Sequence, residues 1–198
     1  MKVAIVKYNA GNIYSVYCAC QRLGAEPVIT DDFDLLKSAD KVIFPGVGEA
    51  RAAMDYLNET GLGNVITHLS QPVLGICIGM QLLCKHSEEG DVDCLGVFDL
   101  PVERFRPTDT ALKVPQMGWN TIKVCEGGKE LFKGVDDESY VYYVHSYRVP
   151  LCAQTIAVTD YCGPYSAALH KDNFWATQFH PEKSGSVGEL VLKNFLNM

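Results

Sequence analysis

The chain has 198 residues, 47% hydrophobic and 21% charged, a balance that excludes a disordered protein and suits one domain, 1–198, with a sizeable core. A net charge of −7 with no long basic run argues against nucleic acid as a partner, because binding phosphates needs clustered Lys and Arg. No stretch approaches about 18 consecutive apolar residues, and Met1-Lys2 runs straight into VAIV without the apolar core of a secretory signal. No membrane association is therefore expected.

In chain order, KVAIVKY (2–8) reads as a strand, followed by a helix with Asn12 as its cap. Ile13, Val16, Tyr17, Cys20 and Leu23 recur at helical spacing up to Gly24. EPVIT (26–30), KVIFP (41–45) and PVLGI (72–76) read as further strands, separated by helical DDFDLLKSA (31–39) and EARAAMDYLNE (49–59). GICIG (75–79) then leads into a helical MQLLCK. Alternation of this kind predicts a parallel sheet with helices on both faces, and strands that are apolar throughout predict burial on both sides. From about residue 90 the pattern turns to strands: LGVFDL, VERFR, NTIKV, SYVYYVHSYRVP, TIAVTD and NFWATQFHPE, before a closing helix in GELVLKNFL. The expected fold is α/β, with a mostly parallel central sheet and an added antiparallel layer.

The eight cysteines lie at 18, 20, 77, 84, 94, 125, 152 and 162 without a CxxC pair. Reduced thiols in a cytoplasmic protein are expected, with no structural metal and no cofactor. Seven read as small packing residues. Cys77 sits between two glycines at a strand–turn–helix junction, where it is either one more packing residue or a nucleophile lifted out of the sheet. A nucleophile on so tight a turn needs neighbours without side chains, as in the G-x-S-x-G elbow. The helix N-terminus favours thiolate, and the Ile78 N–H would point toward a developing oxyanion.

A cysteine nucleophile needs a base. Among five histidines, His180 stands out in QFHPE (178–182), where Pro181 keeps the stretch extended and Glu182 follows two residues on. Cys77, His180 and Glu182 can form a triad in which the carboxylate orients the imidazole; the bland alternative is a surface loop with an incidental pair. PGVG (45–48) ends another strand, so both glycine loops can face one cleft at the carboxyl ends of the sheet.

GICIGMQLL, PGVG and FHPEKS together resemble the class I (triad) glutamine amidotransferases, over essentially the whole chain and in family order. The resemblance implies that Cys77 attacks the glutamine carboxamide, with His180 moving protons and Glu182 orienting it. It makes Ile78 and Val47 backbone N–H groups the oxyanion hole. Gly48, Gln81 and the backbone of Ser146 and Tyr147 would hold glutamine. YNAGNIYSV, GMQ in place of GHQ, PQMGWN (115–120), YVHSYR (143–148) and HPEKS are similar to the members that pass ammonia to a separate TIM-barrel cyclase subunit in histidine biosynthesis. Ile78 in place of Leu and Asn9 in place of Gly depart from the usual pattern, and neither removes a reacting side chain.

Ammonia loses its nucleophilicity once protonated in water, and the chain has no room for a synthase domain, so a heterodimer with direct transfer is expected. Pro115, Gln116, Met117, Trp119 and Asn120 are the candidates for docking, with Tyr142 near the ammonia exit and Lys183 reaching an acidic partner. The rival readings are a class I glutaminase serving another synthase, a cysteine hydrolase of related fold, and a non-catalytic module that kept the fold.

Overall fold

The central strands of the first half divide their side chains between two cores, and this division organises the molecule. The computed structural model describes residues 1–8, 13–46, 48–108 and 110–198. Its N-terminal half runs β1 (Lys2–Val6), α1 (Tyr14–Arg22), β2 (Glu26–Thr30), α2 (Phe33–Ser38), β3 (Lys41–Phe44), α3 (Ala50–Thr60), α4 (Leu62–Thr67), β4 (Val73–Ile76) and α5 (Ile78–Leu82). Then come β5 (His86–Ser87), β6 (Val92–Asp93), β7 (Pro101–Arg104), β8 (Gln116–Val124), β9 (Ser139–His145) and β10 (Tyr147–Arg148). β11 (Thr155–Asp160), β12 (Pro164–Lys171), β13 (Phe174–Thr177) and α6 (Gly185–Leu196) complete the chain.

Successive residues of a strand face opposite sides. Val3 and Ile5 of β1 join Ile43, Leu74 and Ile76 in one core, covered by Val16 and Cys20 of α1 and Val191, Leu192 and Phe195 of α6. Ala4 and Val6 join Val42, Phe44 and Val73 in the other, covered by Leu36, Met54, Leu57, Leu62 and Ile66 from α2 to α4. The helices carry their own start signals. Asp32 accepts from the amides of Asp34 and Leu35, both at 2.9 Å. Glu49 caps α3 in the same way. The Asn12 cap expected for α1 lies outside the described residues.

A nine-stranded sheet has the order β2-β1-β3-β4-β13-β12-β11-β8-β9. It is parallel from β2 to β13 and antiparallel from β13 to β9. The antiparallel strands thus continue the parallel sheet, while β10, β7, β5 and β6 form a small second one. The expected strand LGVFDL (95–100) is a coil whose Phe98 is buried as an anchor. α4 is the helical segment before β4 and ends at His68, its C-terminal cap. Strand β13 stops at Thr177, earlier than its sequence implied, because the chain then crosses to β9: the His180 amide donates to the Tyr142 carbonyl at 2.9 Å.

The decisive pairing for the site is β13 beside β4. They are parallel with Thr177 opposite Ile76, so Cys77 and the 178–182 segment leave the sheet at the same end, side by side. Among the described residues no helix is long and apolar enough to cross a membrane.

Candidate active site

Cys77 has φ 54 and ψ −110, a backbone conformation that costs a residue with a side chain about 1–3 kcal/mol and is held only where its surroundings demand it. The flanking glycines explain how the turn closes. A Cβ on Gly79 would lie 1.9 Å from the Phe44 carbonyl oxygen, and one on Gly75 would lie 2.8 Å from Leu83 Cδ1. The Cys77 amide is fixed by the Thr177 carbonyl at 2.8 Å. Helix α5 starts immediately afterwards, and the first N–H groups of a helix have no acceptor within it. Ile78 provides one such N–H beside the thiol. Val47, the second oxyanion-hole candidate, lies outside the described residues. Tyr8 holds the start of that loop, donating to the Pro45 carbonyl at 2.7 Å.

His180 Nδ1 pairs with Glu182 Oε1 at 2.9 Å, the two side chains being 2% and 4% exposed. The carboxylate reaches the ring from a 3-10 turn (Pro181–Lys183) and not along an extended strand, because Pro181 starts that turn while His180 stays extended. With a carboxylate on Nδ1, that nitrogen carries the proton, and Nε2 is the nitrogen left for Cys77. Nε2 is buried without a hydrogen-bond partner among the described residues. Burial works to lower the His180 pKa, but the Cys77 charge and then Glu182 outweigh it and raise it to about 10.

A cavity of about 220 Å³ opens over Cys77. Gly48, Ile78, Gln81, Ser146 and Tyr147 line it, together with Glu89 and His145. Gln81 is buried, and its Nε2 donates to the Tyr147 carbonyl at 3.1 Å and to Gln178 Oε1 at 2.9 Å. Glu89 Oε2 accepts the Ala50 amide at 3.0 Å, and burial raises its pKa. A partly buried carboxylate in a small cavity suits a ligand ammonium. Glu89, Gln178 and His145 were not foreseen at the site from the sequence. Gln178 sat in view two residues before His180, but nothing in that spacing says it faces Cys77.

The docking candidates separate. Met117 and Trp119 of β8 are 67% and 55% exposed. Trp119 is in register with Tyr142 of β9, their rings 5.9 Å apart and nearly perpendicular, and Lys183 Nζ lies 6.0 Å from the Tyr142 ring. Pro115 is exposed nearby. Asn120 is half-buried, its amide donating to the Asp160 carbonyl at 3.0 Å. Gln116 does not belong to this surface. It is 3% exposed and accepts from the Tyr165 hydroxyl at 2.9 Å, because strand alternation turns it inward while Met117 points out. Of the cysteines, Cys20 and Cys84 are buried packing residues, and Cys18, Cys94, Cys125, Cys152 and Cys162 are only half-buried. Among the described residues no cluster of side chains suited to a metal ion forms.

The chain is 62% identical, over the full length of both, to "Imidazole glycerol phosphate synthase subunit HisH" of Bacteroides thetaiotaomicron. It is 47% identical, again covering both in full, to the protein of that name from Escherichia coli K12. A putative GMP synthase subunit from Thermoplasma acidophilum shares the fold, with a TM-score of 0.74 at 21% identity over 100% of this chain and 92% of that one. The family model for "Glutamine amidotransferase class-I" matches residues 6–198. The chain belongs to the class-I glutamine amidotransferase family.

Proposed function

We propose that the chain, acting as one domain over 1–198, is the glutaminase subunit of an imidazole glycerol phosphate synthase in the cytoplasm. The observation that carries the reading is the strained Cys77 turn on the wall of a small cavity, with the buried His180–Glu182 pair following the strand paired beside it. Full-length similarity to two HisH proteins supports the choice of synthase.

In this reading Cys77 Sγ attacks the glutamine carboxamide carbon, and the carbonyl oxygen becomes an oxyanion facing the Ile78 N–H, with Val47 as the second donor. Each such donor typically contributes on the order of 3 kcal/mol to lowering the barrier. His180, held by Glu182, gives its proton to the departing ammonia and then takes one from the water that opens the thioester. Gln81, Gly48 and the Ser146–Tyr147 backbone position the substrate, and Glu89 meets its ammonium. Ammonia passes to a TIM-barrel cyclase docked on Pro115, Met117, Trp119, Tyr142 and Lys183. The cyclase adds it to a phosphoribulosyl formimino intermediate, yielding imidazole glycerol phosphate and aminoimidazole carboxamide ribonucleotide.

The test is glutamate release from glutamine by the chain alone, then with the cyclase and its nucleotide substrate. Low activity alone and strong stimulation in the complex are expected. Robust activity alone with no response to the cyclase would assign the triad to another synthase or to a free hydrolase.

A further inference from the structure

Three hydrogen bonds in series connect a backbone carbonyl on the far side of the cavity to the Cys77 sulfur, and the first of them sets the direction of the others. A carbonyl oxygen only accepts, so Gln81 must face Tyr147 with its NH2 group, 3.1 Å away. The same NH2 group lies 2.9 Å from the Gln178 amide and has only hydrogens to offer, so Gln178 must present Oε1 to it. That leaves Gln178 a single orientation, with its own Nε2 toward Cys77 and 3.7 Å from Sγ. A lone amide can be turned end for end without changing its shape; this one cannot be turned without breaking bonds to both neighbours. Gln178 has no exposed surface, so solvent competes for neither end of its amide. Its neighbour Thr177 holds the Cys77 backbone amide, so two successive residues hold the nucleophile, one by its backbone and one by its sulfur.

We infer that Gln178 is a further catalytic residue, whose side-chain N–H holds the Cys77 sulfur as a thiolate acceptor in a direction fixed by Gln81. The inference rests on the nucleophile role proposed for Cys77. An N–H bonds an ionised acceptor more strongly than a neutral one, so the contact favours thiolate over thioester sulfur. It supports the nucleophile before attack and the leaving thiolate when water opens the thioester. Gln178 exchanges no proton in either step; proton transfer stays with His180. Because both hydrogens of the Gln81 amide are engaged, only its Oε1 remains to accept from a bound molecule.

Two variants of the full chain separate this role from simple support of Gln81. Gln178→Glu keeps the oxygen that anchors Gln81 and removes the N–H; Gln178→Met removes both at similar side-chain length. The first readout is the rate of Cys77 alkylation by iodoacetamide at mildly alkaline pH, followed by peptide mass spectrometry so that the other cysteines do not interfere. The second is kcat and KM for glutamine in the partner-activated assay. Both variants are expected to alkylate about tenfold more slowly and to lose about tenfold or more in kcat, the scale of one hydrogen bond to a charged group. KM should stay within about twofold for Gln178→Glu and rise for Gln178→Met, where Gln81 loses its anchor. Wild-type rates in both variants would overturn the inference, as would a loss confined to Gln178→Met. Alkylation requires neither glutamine nor partner, so a chain that released no glutamate would count against the proposed glutaminase reading while still reporting on Gln178.

Discussion

The hydroxyl of Ser184 donates to the carbonyl of His180 at 2.6 Å and accepts the amide of Tyr142 at 3.0 Å. Together with the bond from the His180 amide to the Tyr142 carbonyl, this ties the segment carrying the base to edge strand β9. Tyr142 is also the residue whose ring meets exposed Trp119, so the aromatic surface and the base share one rigid connection. Ser184→Ala removes both side-chain bonds. It should lower stability by about 2 kcal/mol, hence Tm by ~4–8 °C, and reduce kcat for glutamine hydrolysis in the complex. Thermal denaturation and glutamate assays check this, and an unchanged kcat would sever the link between Ser184 and the base.

Cys77→Ala should abolish glutamine-driven synthesis by the complex while leaving ammonia-driven synthesis intact. The backbone at this position adds a second expectation. Alanine still carries a Cβ at φ 54, whereas glycine tolerates positive φ. Cys77→Gly should therefore be more stable than Cys77→Ala by about 1 kcal/mol, a reversal of the usual order for these residues. Urea denaturation of the two variants measures it. Equal stabilities would mean that the turn holds no strain.

His145 lies in the interior, its Nδ1 on the Tyr147 carbonyl at 2.6 Å and Nε2 on the Tyr165 hydroxyl at 3.2 Å. Burial lowers its pKa to about 4, against the ordinary 6.5. Between these values the unfolded chain binds a proton that the folded chain refuses, so stability falls as pH drops through that window. His145→Gln should flatten this part of the stability–pH curve in denaturant titrations; parallel curves for variant and wild type would contradict it. His180 works in the opposite sense. Its pKa is raised to about 10, so its contribution is complete below 6.5 and is lost as pH rises toward 10.

Trp119 buries little in the isolated chain, so Trp119→Ala should leave Tm within about 2 °C of wild type, as surface substitutions do. Aromatic anchors are enriched among residues that dominate interfaces. The same variant should weaken cyclase binding, or uncouple glutamate release from cyclisation, by about tenfold or more. Titration calorimetry and the ratio of the two product rates separate these effects. Normal binding with normal coupling would remove Trp119 from the docking surface.

Features set by neighbours along the chain are readable before any folding. The GICIG turn is legible because a sharp strand-to-helix reversal excludes side chains at Gly75 and Gly79, whose backbones pass close to Leu83 and Phe44. The α/β alternation is legible because helical and strand periodicities are local, and His180–Glu182 because the partners are two residues apart. Tertiary structure alone decided the rest. Gln178 meets Cys77 across 101 positions, Glu89 meets Ala50 across 39, and Ser184 meets Tyr142 across 42. Which face of β8 is covered was equally invisible, so Gln116 and Met117 looked alike until the sheet turned one inward. The register of β13 on β4, set by apolar packing between segments about a hundred residues apart, is what brings the nucleophile, its base and the Gln178 amide to one point.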